Sequence, residues 1–358
     1  MLAGSTVGCA KRGSWRLLLL FACSCAASAD RRGTPGYVLV EEPGEELVRL
    51  PCHVSEDSFQ GLRVAAFDDE HAPKWRLPYG GISGSPVYDA QGRPLGGTPR
   101  SFVTNGYAGF LVRPSSEWED LLKIGRALGT PVARALPDPV DGELGPGRKL
   151  GAYLVWGDAY SGSPGAISMR DGDEVILLSH EYRTFGALGP CVLALIRTPV
   201  VAFAPHGDEV EMMHAPGAVV GTATYDDHRG VYGILGAEPP HVRLAVAIET
   251  RALPQTFERG YAIAKHPSLC RTGVAWALGT ALASYGLDHD LFEAGVRLEA
   301  DGELLEDRSV RPRAGESLAD AIVRFVQEVA ADGVLAYEEI GVAIELWYPE
   351  ARGGEGGE

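Results

Sequence analysis

The first part of the chain alternates short apolar runs with glycine, proline and acidic residues. Residues 37–40 and 62–67 are two such runs, and residues 85–88 form a third that leads into Asp89–Gly92. Asp, Gly and Gln in such a group favour a tight turn between two strands. The pattern therefore predicts a block of short strands joined by hairpins.

A second strand-rich block begins near Leu150. Its clearest piece has two mainly apolar segments, 166–169 and 174–178, separated by a turn that contains Asp171 and Gly172. Asp-Gly between two apolar runs is a strong hairpin signal. We predict a β-hairpin here.

The last hundred residues have a different pattern. Residues 272–285 form an Ala-rich apolar run closed by Gly286, and Ser317 with Asp320 starts a second run with helical spacing. From Ile340 to Tyr348 apolar residues alternate with polar or small ones, which is typical of a half-buried strand. This region is predicted to be a packed α+β unit.

These patterns divide the chain into six segments. They are a signal peptide (1–29), a β block that contains Ser83 (30–128), a linker (129–149), a β block that contains His180 (150–248), a C-terminal α+β region (249–350) and a flexible tail (351–358).

The first 29 residues have the features of a targeting segment. Lys11, Arg12 and Arg16 precede an apolar run that ends in Ala27–Ala29, a small-residue pattern typical of signal-peptidase cleavage. We predict an exported protein, either periplasmic or extracellular. The alternative is a lipoprotein, because residues 20–23 resemble a lipobox, and membrane contact is expected only if Cys23 is lipidated.

Composition excludes several classes of function. The chain has 358 residues and a formal net charge of -16, which argues against a nucleic-acid partner. Of its six cysteines, only Cys52, Cys191 and Cys270 lie beyond the targeting segment, too few for a disulfide scaffold. Zinc-finger and HExxH spacings are absent, so neither a metal nor another cofactor is predicted.

The strongest chemical signal is the segment from Gly80 to Pro86, directly before an apolar strand. A nucleophilic serine needs an exposed hydroxyl on a tight turn and backbone N–H groups that stabilise the oxyanion. Gly-Ile-Ser-Gly fits both needs, with Ser83 as the nucleophile and the N–H groups of Gly81 and Ser83 as the oxyanion hole. The alternative is an ordinary Gly/Ser turn between strands.

A nucleophilic serine also needs a base and a carboxylate that orients it. His180, at the end of the apolar strand 175–178, is the best candidate base. Several acids are candidates for the third residue, including Asp226 in the same block. Ser161–Pro164 repeats the tetrapeptide of Ser83, but we interpret it as a turn, because Ala159 replaces the preceding glycine.

Several segments together resemble the SpoIVB-type serine peptidases, in the order found in bacterial members whose serine motif precedes the histidine motif. They are residues 81–88 (Gly-Ile-Ser-Gly-Ser-Pro-Val-Tyr), 92–97, 106–112, 165–180 and 219–233. The resemblance implies a trypsin-like double β-barrel with permuted motif order. It also implies that Ser83 is the nucleophile, His180 the general base and Asp226 the orienting acid.

The expected function is that of an exported serine endopeptidase whose substrate is a protein or peptide of the envelope or the secreted fraction. Ser179 and Glu181 stand where the family has glycine and proline. They favour the alternative, a non-catalytic binding or scaffold protein on the same fold. The sequence is less consistent with an esterase of the α/β-hydrolase type, because the Gly-x-Ser-x-Gly motif of those enzymes would require glycine at the position of Ser85.

Overall fold

The computed structural model describes residues 33–44, 46–59, 61–67, 84–104, 107–129, 134–136, 144–179, 188–206, 209–250, 253–287, 293–330 and 333–347. This part of the chain is mainly β, as predicted. The helices are α1 (Ser116–Leu128), α2 (Cys270–Tyr285) and α3 (Leu318–Val329). The strands are β1 (Thr34–Glu41), β2 (Leu47–Phe59), β3 (Leu62–Phe67), β4 (Pro86–Asp89), β5 (Pro94–Thr104), β6 (Tyr107–Pro114), β7 (Arg134–Ala135), β8 (Lys149–Gly157), β9 (Ser161–Asp171), β10 (Glu174–Ser179), β11 (Gly189–Arg197), β12 (Val200–His206), β13 (Glu209–His214), β14 (Val219–Asp227), β15 (Gly230–Leu235), β16 (Ala237–Glu238), β17 (His241–Thr250), β18 (Leu253–Ala264), β19 (Ala294–Ala300), β20 (Glu303–Val310) and β21 (Glu339–Leu346).

The first six strands close into an antiparallel barrel in the order β1-β2-β3-β6-β5-β4. The turn between β4 and β5 forms as predicted. Asp89 accepts hydrogen bonds from the backbone N–H groups of Gln91 and Arg93, and Gly92 has a φ of 79°. Asp and Gly occupy these positions because their side-chain chemistry and conformational freedom suit a tight turn.

A second six-stranded barrel is formed by β11-β14-β15-β10-β9-β8 and closes through pairing of β8 with β11. The predicted hairpin of β9 and β10 turns at Gly172, whose φ is 61°. The predicted double-barrel architecture is therefore confirmed. The connection between the barrels includes β7, which pairs with β16, so the segment predicted as a linker contains a short piece of sheet.

Each barrel packs against an element that belongs to the other barrel's part of the chain. The hairpin of β12 and β13, which lies between two strands of the second barrel, places Val200 and Met212 in the hydrophobic core of the first barrel. In the opposite direction, α1 follows the first barrel and packs on the outside of the second. Leu121 of α1 belongs to a buried cluster with Leu178 and Tyr232 of the second barrel.

The C-terminal region forms a sheet in the order β18-β17-β21-β19-β20, with α2 and α3 packed against it. The sheet is continuous with the second barrel, because β8 also pairs with β18. Consequently one hydrophobic core cluster extends through both units. β17, which begins at His241, belongs to the C-terminal sheet, whereas the sequence placed most of it in the second barrel's block.

Local predictions in the C-terminal region are confirmed. Gly286 ends α2 in the left-handed conformation, and the side chain of Ser317 accepts a hydrogen bond from the backbone N–H of Asp320 at the start of α3. No helix in the described ranges has both the length and the apolar character needed to cross a bilayer.

The prediction of a turn at Ser161–Pro164 is wrong. These residues begin β9 and pair with β8, where Gly162 lies opposite Tyr153. A Cβ at position 162 would overlap the Tyr153 ring. The glycine is therefore explained by close packing within a strand rather than by turn formation.

Candidate functional site

The described part of the serine motif begins at Gly84, directly after Ser83 in the chain. Its φ of 85° lies in the left-handed region, where glycine is strongly favoured. The backbone N–H of Gly84 donates a hydrogen bond to the carbonyl oxygen of Thr98 at 2.7 Å, and the Ser168 hydroxyl donates to the Gly84 carbonyl oxygen at 2.9 Å. Both polar backbone groups of Gly84 are therefore paired.

Gly84 also marks the junction of the two barrels. A Cβ at this position would overlap the carbonyl oxygen of Leu178 and would lie 2.5 Å from the backbone nitrogen of Ala166. The Leu178 side chain presses in turn on Gly97 of β5, where a Cβ would overlap its Cδ1. The end of β10 thus lies against the start of the serine-motif strand, with no space for a side chain between them.

The predicted nucleophile and base flank this junction in sequence. Ser83 and Gly81 precede Gly84, and His180 follows Ser179, the last residue of β10. Ser83, Gly81 and His180 themselves lie outside the described residues. What the structure brings together is their immediate neighbourhood in the chain, because Gly84 contacts Leu178.

Asp226 is described and is almost fully buried, at 3% exposure. It lies on β14 opposite Val231, which in turn pairs with Leu177 of β10. Cross-strand partners share a face of the sheet, and Val231 and Leu177 belong to the barrel interior. Asp226 therefore lies at the interior face, on the opposite side of the sheet from Leu178.

Asp226 affects a buried thiol in this interior. Burial raises the pKa of Cys191, and the nearby charge of Asp226 raises it further. Both effects disfavour the thiolate, because each penalises a second negative charge in the barrel interior. Cys52, Cys191 and Cys270 are all buried and unbridged.

Sequence reasoning missed a buried ionic group between the barrels. Glu41 at the end of β1 is inaccessible to solvent and forms an ion pair with Arg197 at 2.8 Å. It also accepts a hydrogen bond from the backbone N–H of Lys149 at 2.8 Å. Burial lowers the pKa of the Lys149 side chain to about 8, an effect that the charge of Glu41 partly opposes. No local pattern indicates this group, because its members are far apart in the chain.

A depression of about 630 Å³ lies elsewhere, on the open face of the C-terminal sheet. Its floor is made of small residues such as Ala245, Gly341 and Ala343, and charged residues including Arg297 and Glu299 line it. None of the residues that surround Gly84 contributes to it. Within the described ranges, no group of three or more His, Cys, Asp or Glu side chains is arranged to hold a metal ion.

Comparisons of this chain with models of protein families, with curated proteins and with solved structures found no match.

Proposed function

We propose that this protein is an exported serine endopeptidase of the SpoIVB-like type, built as a trypsin-like double barrel with permuted motif order. Ser83 is the nucleophile and His180 the general base. The observation that carries the proposal is the contact between Gly84 and Leu178. Gly84 directly follows Ser83 in the chain, and Leu178 precedes His180 by two residues.

The position of Leu178 also supports the proposal. Leu178 precedes His180 by two residues in the chain, and its side chain lies on the face of β10 that meets the first barrel, which carries the serine motif. A nucleophile on one barrel and a base on the other would leave the substrate cleft between them, accessible to an extended peptide.

The proposed reaction proceeds in two steps. The Ser83 hydroxyl attacks the carbonyl carbon of the scissile bond while His180 takes its proton, and the N–H groups of Gly81 and Ser83 hold the resulting oxyanion. The imidazolium then gives the proton to the leaving amine as the C–N bond breaks. Water, activated by His180, hydrolyses the acyl-enzyme and restores Ser83.

Asp226 is the proposed orienting acid. It is a buried carboxylate at the same end of the barrel as the end of β10. Because its side chain lies at the interior face, its role needs a separate test. If Asp226 stabilises the protonated imidazole, Asp226→Asn should lower the pKa that controls Ser83 reactivity. An unchanged pH profile would remove it from the site.

The deciding experiment is labelling of the purified protein with a fluorophosphonate probe, in which Ser83 displaces fluoride and forms a phosphonate ester. We expect labelling of the parent and none of Ser83→Ala or His180→Ala. Matched controls are Ser161→Ala, in the copied tetrapeptide, and His228→Ala, an exposed residue between β14 and β15. Both controls should label like the parent.

No labelling of a folded parent would contradict the enzymatic proposal. It would favour the alternative, a non-catalytic binding protein on the same fold, which the sequence departures at Ser179 and Glu181 support. Gly81→Pro gives a second test of the mechanism. Loss of one oxyanion donor costs about 10²–10³ in rate, so normal labelling of this variant would exclude the proposed oxyanion hole.

A further inference from the structure

We propose that Ser168, in the second barrel, is a positioning residue for the nucleophile loop of the first barrel, a name used here for Gly84 and Ser85, which join Ser83 to β4. This inference rests on the proposed function, since it assigns a role next to Ser83. The Ser168 hydroxyl donates a hydrogen bond of 2.9 Å to the carbonyl oxygen of Gly84. Its side chain is 2% exposed, so water does not compete freely for that bond.

The strand that carries Ser168 is irregular at this residue. Along β9 and β10, Met169 pairs with Ile176, but Ile167 pairs with Leu177. Ser168 is therefore the extra residue of a β-bulge. Bulges bend a strand and redirect a side chain, and here the redirected hydroxyl reaches the other barrel.

The remaining contacts of Gly84 explain why loss of the Ser168 hydroxyl is expected to have a large effect on the reactivity of Ser83. The Gly84 N–H is held by Thr98 within the first barrel, while its Cα packs against the backbone of the second barrel at Leu178 and Ala166. The hydrogen bond from Ser168 fixes the orientation of the Gly84 carbonyl group. The backbone of Gly84, which follows Ser83 in the chain, is consequently held by both barrels.

The surroundings of Ser168 favour a small hydroxyl residue. A Cβ at Gly97 would lie 3.2 Å from the Ser168 oxygen, so the pocket between β5 and β9 is already filled. Alanine would remove the donor without filling new space. The Gly84 carbonyl would then be buried without a described donor, which is costly and favours displacement of the loop.

The test compares Ser168→Ala with Thr222→Ala. Thr222 is a matched control in the same barrel, since its buried hydroxyl donates to the backbone carbonyl of Ala237 at 2.6 Å. Both variants lose one buried hydroxyl-to-carbonyl bond. Thr222→Ala also loses a buried methyl group, so it should lose at least as much thermal stability as Ser168→Ala. Two readouts separate them, namely the kinetics of fluorophosphonate labelling and the hydrogen exchange of the backbone amides of Gly84 and Thr98.

For Ser168→Ala we expect the maximal labelling rate to fall by about tenfold to a hundredfold, because small displacements of a reacting group have effects of this size. The probe concentration at half-maximal rate should stay unchanged. Amide exchange at Gly84 and Thr98 should accelerate. Thr222→Ala should leave both readouts near the parent values, and Ser168→Cys, which keeps a weak donor of similar shape, should recover part of the rate.

Parent-like labelling of Ser168→Ala, or an equal loss in Thr222→Ala, would overturn the inference. If the parent itself is not labelled, the proposed function fails, and the amide exchange still decides the role of Ser168. Faster exchange confined to Ser168→Ala would then support loop positioning, and unchanged exchange would refute it.

Discussion

The two barrels have the same number of strands but differ in what completes their interiors. The core of the first barrel includes Val200 and Met212, which belong to a hairpin inserted between two strands of the second. The core of the second barrel continues into the C-terminal unit through β8. The second barrel receives α1 from the other side, but α1 packs on its outer face.

The difference shows that dependence between the barrels is unequal. The first barrel lacks part of its interior unless the second is present. Among the described residues, the core of the second barrel continues into the C-terminal unit and contains no residue of the first barrel. The contact of Gly84 with Leu178 lies at the junction of the two barrels. The following predictions test this comparison, from the largest expected effect to the smallest.

Gly84→Ala should have the largest effect on stability, because its methyl group would overlap backbone atoms of the other barrel. We expect a loss of at least about 4 kcal/mol in the free energy of unfolding, measured by chemical denaturation. Gly61→Ala is the control, since Gly61 also has a positive φ, of 78°, but a Cβ added there would meet no atom within 4 Å. It should lose only about 1–2 kcal/mol, the cost of the left-handed conformation. Equal losses in both variants would show that the inter-barrel contact contributes little.

Lys149→Met tests the buried ionic group and should stabilise the protein. The folded-state pKa of Lys149, about 8, lies below the ordinary value of 10.5. Below pH 8 both states are protonated, so the native state bears the full cost of the buried charge, about 3 kcal/mol. From pH 8 to 10.5 the native state loses its proton before the unfolded state does, and this cost disappears.

The gain in unfolding free energy from Lys149→Met should therefore be greatest below pH 8 and should decline towards pH 10.5. Thermal unfolding of both proteins across this pH range measures it. Destabilisation at neutral pH would mean that Lys149 contributes more through its contacts than its buried charge costs.

Met212→Ala tests whether the inserted hairpin completes the first barrel. Met212 is 7% exposed, whereas the neighbouring Met213 is 45% exposed. We expect a loss of about 2 kcal/mol for Met212→Ala and little change for Met213→Ala. Hydrogen exchange should accelerate in β1 to β6 of Met212→Ala before it does in β8 to β11. Faster exchange in the second barrel alone would contradict the unequal dependence.

Substitutions of two helical glycines should give the smallest changes in the free energy of unfolding, with opposite signs. A Cβ at Gly125 of α1 would overlap the Tyr232 ring in the second barrel, whereas a Cβ at Gly279 of α2 would meet no atom within 4 Å. Gly125→Ala should destabilise by about 1–2 kcal/mol through overpacking. Gly279→Ala should stabilise by up to about 1 kcal/mol, the difference in helix propensity. If chemical denaturation gave changes in the free energy of unfolding with the same sign for both variants, α1 would not pack tightly on the second barrel.

Short-range patterns predicted much of the fold correctly. The turns at Gly92 and Gly172 and the cap at Ser317 depend on neighbouring residues alone, so the sequence was sufficient to find them. The error at Ser161–Pro164 has the complementary cause. A glycine needed for close packing cannot be distinguished from one needed for a turn until the neighbouring Tyr153 is known.

Long-range features were not predictable in the same way. The apolar character of Val200 does not indicate that its side chain lies in the core of the other barrel. The candidate site follows the same rule. The local motif and the resemblance suggested Ser83 and His180 as candidates, which stay a prediction. The contact between Gly84 and Leu178 and the hydrogen bond from Ser168 depend on the packing of two barrels, so the sequence did not indicate them.

The inserted hairpin has a consequence for biosynthesis. Residues 34–114 emerge from the ribosome well before Met212, by roughly 5–20 s at ordinary rates of elongation. Throughout that interval the first barrel lacks the side chains that finish its interior. A nascent chain of this kind exposes apolar surface and strand edges, so it is a natural client for chaperones that hold the chain until the hairpin arrives.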